Sequence, residues 1–163
     1  AMGQTLGLRR DGMLAALREF TGLAHRTMLV RERGGVRWFD DSKGTNVGAT
    51  VAAVRGLPGP LVLIAGGDGK GQDFTPLRAA LVDKARSVVL IGRDAPSIAA
   101  ALGDRIPLQK AVDMEEAVAV AARLAQPGDS VLLSPACASF DMFRNYEERG
   151  AVFAAAVRSL PEC

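Results

Sequence analysis

The chain has 163 residues, of which 48% belong to the hydrophobic class and 23% are charged, a composition typical of one folded globular domain. The formal net charge of +2 is too close to neutral to indicate a nucleic-acid-binding protein. Two cysteines are too few for a disulfide framework, and no apolar run approaches the ~20 residues of a membrane span, so we expect a cytoplasmic protein.

The first part of the chain predicts a helix followed by a β-hairpin. Residues 1–3 read as a cloning remnant, which leaves residues 4–163 as a single expected domain. Apolar residues recur at helical spacing over 11–23, with Asp11 placed to cap the helix and Gly22 to end it. Two short strands, around 28–30 and 36–39, flank the sequence ERGG, which is typical of a hairpin turn.

After residue 46, predicted helices alternate with short apolar strands. The predicted helices span 47–57, 75–85, 94–103, 113–125 and 145–160, and the predicted strands span 60–67, 87–92, 106–111 and 129–136. Thr75 and Asp113 are placed to cap their helices. The pattern predicts an α/β fold with a Rossmann-like, mostly parallel sheet flanked by helices and an N-terminal antiparallel hairpin.

Three of the predicted strands lead into unusual polar or glycine-rich segments. These segments are DDSKGTN (40–46), GGDGKGQDF (66–74) and SPACASFDMF (134–143). Because ligands of parallel sheets bind beyond the carboxyl ends of the strands, we expect the three segments to converge on one site.

The segment 40–46 has two possible interpretations. Asp41 can accept hydrogen bonds from backbone N–H groups or from a ribose diol, and Thr45 and Asn46 precede a helix whose N-terminus can receive an anion. The alternative is a strand-to-helix turn with redundant capping residues, and this segment alone does not decide between them.

The segment 66–74 does not match a Walker loop, which requires G-x-x-x-x-G-K-[ST] before a helix. Its glycines allow close approach of the backbone to a ligand, and Lys70 supplies one cation for a carboxylate or phosphate. A solvated loop lysine is the alternative interpretation.

Nucleophilic and metal chemistry have little support in the sequence. Cys137 lies among small residues, and the chain's single histidine, His25, is far away in sequence, so we interpret Cys137 as a buried small residue. His25 beside Arg26 is either a phosphate contact or an ordinary surface pair. No spacing typical of metal ligands is present.

Together these segments resemble a known family. The residues HR (25–26), DDSKGTN, GGDGKGQDF, GRD (92–94) and SPACASFDMFRNYEERG (134–150) resemble the C-terminal domain of the Mur ligases, over about residues 5–160. The last segment is similar to that of the members that add D-glutamate. In this family a first domain binds the UDP-sugar, a central domain carries the Walker loop, the Mg²⁺ ligands and a carbamylated lysine, and the C-terminal domain closes over the active site.

The resemblance implies an ATP-dependent ligase of peptidoglycan precursor synthesis. Such an enzyme forms an acyl phosphate on UDP-MurNAc-L-alanine, and the D-glutamate amine then attacks it. ATP and Mg²⁺ are the implied cofactors, with the metal ligands in the missing central domain, and a monomer is expected. The isolated domain is expected to be inactive, with no catalytic residue of its own.

The resemblance also assigns roles to individual residues. Arg26 aligns with an arginine that reaches the ATP phosphates, and Asp41 with the acid that binds the ribose. The residues aligned with the D-glutamate site are Lys43, Thr45, Lys70, Ser139, Phe140 and Tyr146. Phe140 and Tyr146 stand where relatives have Leu and Phe.

Two alternatives remain open. In the first, the chain is the C-terminal domain of a Mur ligase that adds L-lysine or diaminopimelate. Asp141 and Asn145 would then be the available partners of the second amine of that substrate. In the second, the chain is a stand-alone nucleotide-binding α/β module, which predicts measurable nucleotide affinity.

Overall fold

A computed structural model describes residues 5–19 and 22–162 of the chain, without the side chains of residues 17–19. The prediction for residues 1–3 and the part of the first predicted helix at residues 20 and 21 lie outside this range. In the described part, no helix has the length and apolar character needed to cross a bilayer.

The described residues form helices and strands that follow the predicted order. Helices α1 to α6 span Arg10–Glu19, Val47–Gly56, Thr75–Leu81, Ala95–Leu102, Met114–Leu124 and Tyr146–Ser159. Strands β1 to β6 span Met28–Arg33, Val36–Asp40, Leu61–Gly66, Ala85–Ile91, Leu108–Lys110 and Ser130–Leu133.

Strands β1 and β2 form the predicted hairpin. Arg33 pairs with Val36, so Gly34 and Gly35 alone make the turn. Their φ angles of 56° and 75° are the left-handed values that a two-residue type I′ turn requires, and glycine adopts them without a Cβ penalty.

All six strands belong to one sheet in the order β1-β2-β6-β3-β4-β5. The hairpin is antiparallel, and the other neighbouring pairs are parallel. The predicted Rossmann-like fold is thus confirmed. Because β6 lies between β2 and β3, the three polar segments that follow these strands are neighbours at the carboxyl edge of the sheet.

The sheet is buried on both faces, as strand β3 illustrates. Leu61, Leu63 and Ala65 pack on one face in a cluster with residues of α2, α3 and α4. Val62 and Ile64 point to the other face and join residues of α5 and α6. All five are fully buried, so β3 anchors the carboxyl edge in a rigid, two-sided core.

Polar side chains cap three of the described helices, and two of these residues, Asn46 and Asp113, were recognised as capping residues in the sequence. Asn46, Asp113 and Asn145 each accept a hydrogen bond from the backbone N–H three residues later, at 2.8–2.9 Å. Two of these caps, Asn46 and Asn145, begin helices that start next to the carboxyl-edge segments.

Three details of the predicted helices are wrong. The first helix begins at Arg10, which places Asp11 inside its first turn instead of at the cap. Phe74 occupies the cap position of α3, and the Thr75 hydroxyl donates to Asp73 at 2.6 Å. Helix α3 also ends before residue 85, because the Lys84 carbonyl accepts from the Leu61 N–H and draws the chain into β4.

Candidate functional site

Two neighbouring cavities open at the carboxyl edge of β2, β6 and β3. The first, of about 430 Å³, is called the hairpin cavity and lies between α2 and the segments that precede β1 and follow β2; its polar lining includes Arg26, Thr27, Asp41 and Lys43. The second, of about 300 Å³, is called the loop cavity and is lined by Lys43, Thr45, Lys70, Ala138, Ser139, Phe140, Asn145, Tyr146 and Glu147. Lys43 lines both cavities.

Asp41 is the carboxylate of the hairpin cavity, and it is only 8% exposed. Its backbone N–H extends the pairing of β2 with β6 by donating to the Leu133 carbonyl at 2.8 Å. Its Oδ1 accepts from the Thr27 N–H at 3.1 Å and the Thr27 hydroxyl at 3.2 Å, and its Oδ2 accepts from Ser134 Oγ at 2.7 Å. Burial nevertheless raises the pKa of Asp41, because desolvation outweighs these hydrogen bonds.

Hydrogen bonds join the segment 25–27 to the turn after β2. His25 Nδ1 lies 2.7 Å from Asp40 Oδ2, and the His25 carbonyl accepts from the Lys43 N–H at 3.0 Å. His25 and Thr27 both have left-handed φ angles, of 60° and 50°, which are uncommon for residues other than glycine. These contacts hold the exposed Arg26 between them at the mouth of the hairpin cavity.

Lys43 reaches the loop cavity by packing against an aromatic ring. Its Nζ lies 3.7 Å from the centroid of the Tyr146 ring, a cation–π distance. The Tyr146 ring also contacts His25 edge-on, with centroids 6.0 Å apart. The Tyr146 ring therefore limits where the Lys43 ammonium group can lie.

Lys70 lies on a loop that is tied to the neighbouring segment. Asp68 and Ala138 exchange two backbone hydrogen bonds, of 2.9 and 2.8 Å, that join the loop after β3 to the loop after β6. The Lys70 N–H donates to Asp68 Oδ1 at 3.0 Å, and its φ of 51° is left-handed. The Lys70 side chain is exposed, with Nζ 5.6 Å from the Phe140 ring centroid.

Two further predicted residues come from the segment after β6. Ser139 is buried, whereas the Phe140 ring is 67% exposed at the rim of the loop cavity. The Ser139 carbonyl accepts from the N–H groups of Met142 and Phe143, which folds this segment into a tight turn.

The structure distributes the predicted site residues over the two cavities. All six residues assigned to D-glutamate line the loop cavity, and both residues assigned to ATP line the hairpin cavity. Their ligand contacts remain predictions, since grouping alone does not identify a ligand.

The interpretation of Cys137 as a buried small residue is confirmed. Its side chain is fully buried, and desolvation raises the pKa of the thiol to about 12. A thiol with that pKa is almost wholly protonated at neutral pH and is a poor nucleophile. Within the described ranges, no group of three or more His, Cys, Asp or Glu side chains is arranged to hold a metal ion.

Two residues of the site were missed by sequence reasoning. Glu147 lines the loop cavity, and its hydrogen bond with the Tyr146 side chain lowers the pKa of this carboxyl group. Arg149 is 1% exposed and hydrogen-bonds to Ser42 and Cys137, whose chain neighbours Lys43 and Ala138 line the loop cavity. The available signal was its position four residues before the buried Phe153, which puts an arginine on the apolar face of a helix.

The two side chains considered for a second substrate amine each accept a backbone hydrogen bond. Asp141 Oδ2 accepts from the Arg93 N–H at 2.8 Å, and Asp141 does not line the loop cavity. The side-chain oxygen of Asn145, Oδ1, caps α6 by accepting from the Glu148 N–H at 2.8 Å.

Replacing Gly150 by alanine is expected to destabilise the fold by about 1–3 kcal/mol, because the new methyl group has no room. A Cβ there would lie well inside van der Waals distance of His25 Nδ1 and 2.8 Å from Asp40 Oδ2. Denaturant unfolding followed by the fluorescence of Trp38, the single, 1% exposed tryptophan, measures the loss. Gly56→Ala is the matched control, because nothing lies within 4 Å of its new Cβ. Equal stability of both variants would contradict the close packing at Gly150.

The chain is similar in sequence to known proteins. The chain is 62% identical over 159 residues to the UDP-N-acetylmuramoylalanine--D-glutamate ligase of Aromatoleum aromaticum, covering 96% of this chain and 34% of that protein. It is 59% identical over 164 residues to the enzyme of the same name from Pseudomonas savastanoi pv. phaseolicola, covering 98% and 37%. The chain thus spans about a third of the length of these relatives.

A solved structure shares the fold at low sequence identity. The crystal structure of MurF ligase from Thermotoga maritima in complex with ADP matches with a TM-score of 0.63 and 21% identity, over 96% of this chain and 36% of that one. Residues 25–137 match the family model described as "Mur ligase, glutamate ligase domain". This match covers more than half of the chain, and the chain therefore belongs to the Mur ligase family as a glutamate ligase domain.

Proposed function

We propose that this chain is the amino-acid-binding, C-terminal domain of an ATP-dependent ligase that adds D-glutamate to UDP-MurNAc-L-alanine in the cytoplasm. The observation that carries the proposal is the loop cavity, where Lys43 and Lys70 meet with the Thr45 and Ser139 side chains. The names of the similar full-length enzymes support it.

The lining of the loop cavity suits a dicarboxylic amino acid. D-glutamate brings two carboxylates and one amine, and the cavity offers two ammonium groups from different loops. Charge-assisted hydrogen bonds from lysine to a carboxylate contribute about 1.5–3 kcal/mol each, which is enough to fix orientation as well as affinity. Phe140 and Tyr146 supply apolar surface for the methylene groups.

The hairpin cavity suits the ribose and phosphates of a nucleotide. The three hydrogen bonds to Asp41 use three of the roughly four lone-pair sites of a carboxylate, so Oδ2 retains capacity for one ribose hydroxyl. Arg26 is exposed at the mouth of the same cavity and provides a guanidinium group for phosphate. The related MurF structure contains ADP.

In this proposal the domain orients two reactants. ATP supplies the phosphoryl group that activates the carboxylate of the UDP-linked substrate. Lys43, Lys70 and Thr45 hold the D-glutamate carboxylates so that its amine approaches that group, and correct positioning of this kind lowers a barrier by up to ~7–11 kcal/mol. In this proposal the Mg²⁺ ligands belong to the rest of the full-length protein, as the family resemblance implies.

One observation favours a different amino acid. Glu147 places a carboxylate at the loop cavity, and a carboxylate suits the second amine of L-lysine or diaminopimelate. Its hydrogen bond with Tyr146 occupies part of its acceptor capacity. The two lysines at the same cavity repel an additional cation, so we favour D-glutamate.

The test is phosphate release by the full-length protein with ATP, Mg²⁺ and UDP-MurNAc-L-alanine, supplied with D-glutamate, L-glutamate, L-lysine or diaminopimelate. We expect turnover with D-glutamate and none above background with the other three, and no turnover or tight nucleotide binding by the 163-residue chain alone. A preference for L-lysine or diaminopimelate would overturn the assignment. Tight binding of ATP to the chain alone would instead favour a stand-alone nucleotide-binding module.

A further inference from the structure

A fully buried arginine connects the walls of the loop cavity. Arg149 donates from Nε to Ser42 Oγ at 3.0 Å and from Nη2 to the Ser42 carbonyl at 2.9 Å, and its Nη1 donates to the Cys137 carbonyl at 3.1 Å. It is 1% exposed. All three acceptors are neutral oxygens, and burial lowers the pKa of this guanidinium to about 10.

A contribution to the stability of the fold does not by itself explain why a buried arginine occupies this position. Moving a cation out of water costs several kcal/mol, and apolar residues of similar volume often replace buried charged groups with no loss of stability. What arginine adds is a planar fork with fixed donor directions, which an apolar side chain lacks and a lysine reproduces poorly.

The three hydrogen bonds of Arg149 end next to residues of the loop cavity. Ser42 immediately precedes Lys43, and its hydroxyl donates to the Tyr146 carbonyl at 2.8 Å. Cys137 lies two residues before Ser139, and Arg149 itself belongs to the helix that begins at Tyr146. The guanidinium therefore fixes the turn after β2, the turn after β6 and the start of α6 relative to one another.

The contacts of Asp41 do not depend on this arginine. Its carboxylate is held by Thr27 and Ser134, and its backbone N–H by Leu133. A change at Arg149 is thus expected to loosen the loop cavity more than the hairpin cavity.

We propose that Arg149 is a positioning residue for the amino-acid substrate, which sets the spacing of Lys43, Ser139 and Tyr146 around the loop cavity. It touches no substrate itself. The proposal rests on the proposed D-glutamate ligase function, and it adds a residue that the resemblance did not assign.

The test uses the full-length ligase with Arg149→Lys, which keeps the charge but loses the fork, and Arg149→Met, which keeps much of the volume. For both variants we expect the KM for D-glutamate to rise roughly tenfold or more, with the KM for ATP changed by less than about twofold. The exposed Arg158 on the same helix provides matched controls, Arg158→Lys and Arg158→Met, which are expected to behave as wild type.

The outcomes separate the inference from the function on which it rests. Folded Arg149 variants with an unchanged KM for D-glutamate, or with ATP and D-glutamate KM values raised equally, would overturn the positioning role. If neither variant folds, Ser42→Ala removes one acceptor of Arg149 and the bond to Tyr146, and it must raise the KM for D-glutamate selectively. Wild-type protein without D-glutamate turnover would refute the proposed function itself.

Discussion

Removing the Lys70 ammonium group in the full-length protein is expected to raise the KM for D-glutamate roughly 10- to 100-fold, as expected for the loss of one charge-assisted hydrogen bond. The KM for ATP is expected to stay near its wild-type value, because Lys70 lines the loop cavity and not the hairpin cavity. Steady-state kinetics of Lys70→Ala with each substrate varied in turn measures both values.

A second variant separates the charge of Lys70 from its backbone. Lys70 has a left-handed φ of 51°, which glycine adopts without strain, so Lys70→Gly removes the ammonium group and relieves the backbone. It is expected to show the same kinetic defect as Lys70→Ala without loss of thermal stability. Lys110→Ala, at an exposed lysine on β5, is the matched control. A D-glutamate KM within about twofold of wild type in both Lys70 variants would exclude a substrate contact.

Replacing Asp41 by asparagine is expected to weaken the binding of ATP and to stabilise the fold. The amide keeps the bulk of the carboxylate but loses its charge, so the KM for ATP is expected to rise roughly 10- to 100-fold, with a smaller effect on D-glutamate. Because burial raises the pKa of Asp41, the ionised group is costly to the folded state, and its neutral replacement is expected to raise Tm at pH 7.

The pH dependence of this stabilisation has a defined sign. A carboxyl group with a raised pKa in the folded state contributes stability below its ordinary value of 3.8 and loses that contribution as pH rises through the folded value. The Tm advantage of Asp41→Asn is therefore expected at pH values above the pKa of Asp41 in the folded protein, and it is expected to disappear near pH 3. Asp83→Asn, at an exposed acid before β4, is the control. An advantage that is constant with pH would contradict desolvation as the cause.

The sequence predicted the sheet well because its signals are local. A continuous apolar run such as 61–66 forms a strand that is buried on both faces of a sheet covered by helices. The consecutive glycines at 34 and 35 specify the hairpin turn. The errors lie at helix ends. Thr75 was expected to cap α3, but the Asp73 carboxylate captures its hydroxyl and N–H. The hydrogen bond from the Leu61 N–H to the Lys84 carbonyl then ends that helix early, and the local sequence gives no sign of this contact.

The sequence predicted which loops form the candidate site, but it did not predict the contacts that support those loops. Lys43, Thr45 and Lys70 follow strand ends, so topology alone brings them to one edge. Arg149 and Glu147 lie on α6, and their roles depend on which loop packs over that helix. Such contacts join residues more than a hundred positions apart, as Ser42 and Arg149 do, and a single sequence carries no signal for them.

A crystal structure of the full-length protein with D-glutamate and a non-hydrolysable ATP analogue tests the central claim most directly. We predict the two D-glutamate carboxylates within about 3 Å of Lys43, Lys70 or Thr45 in the loop cavity, and a ribose hydroxyl at Asp41 Oδ2. D-glutamate bound outside the loop cavity, with these side chains facing solvent, would contradict the account.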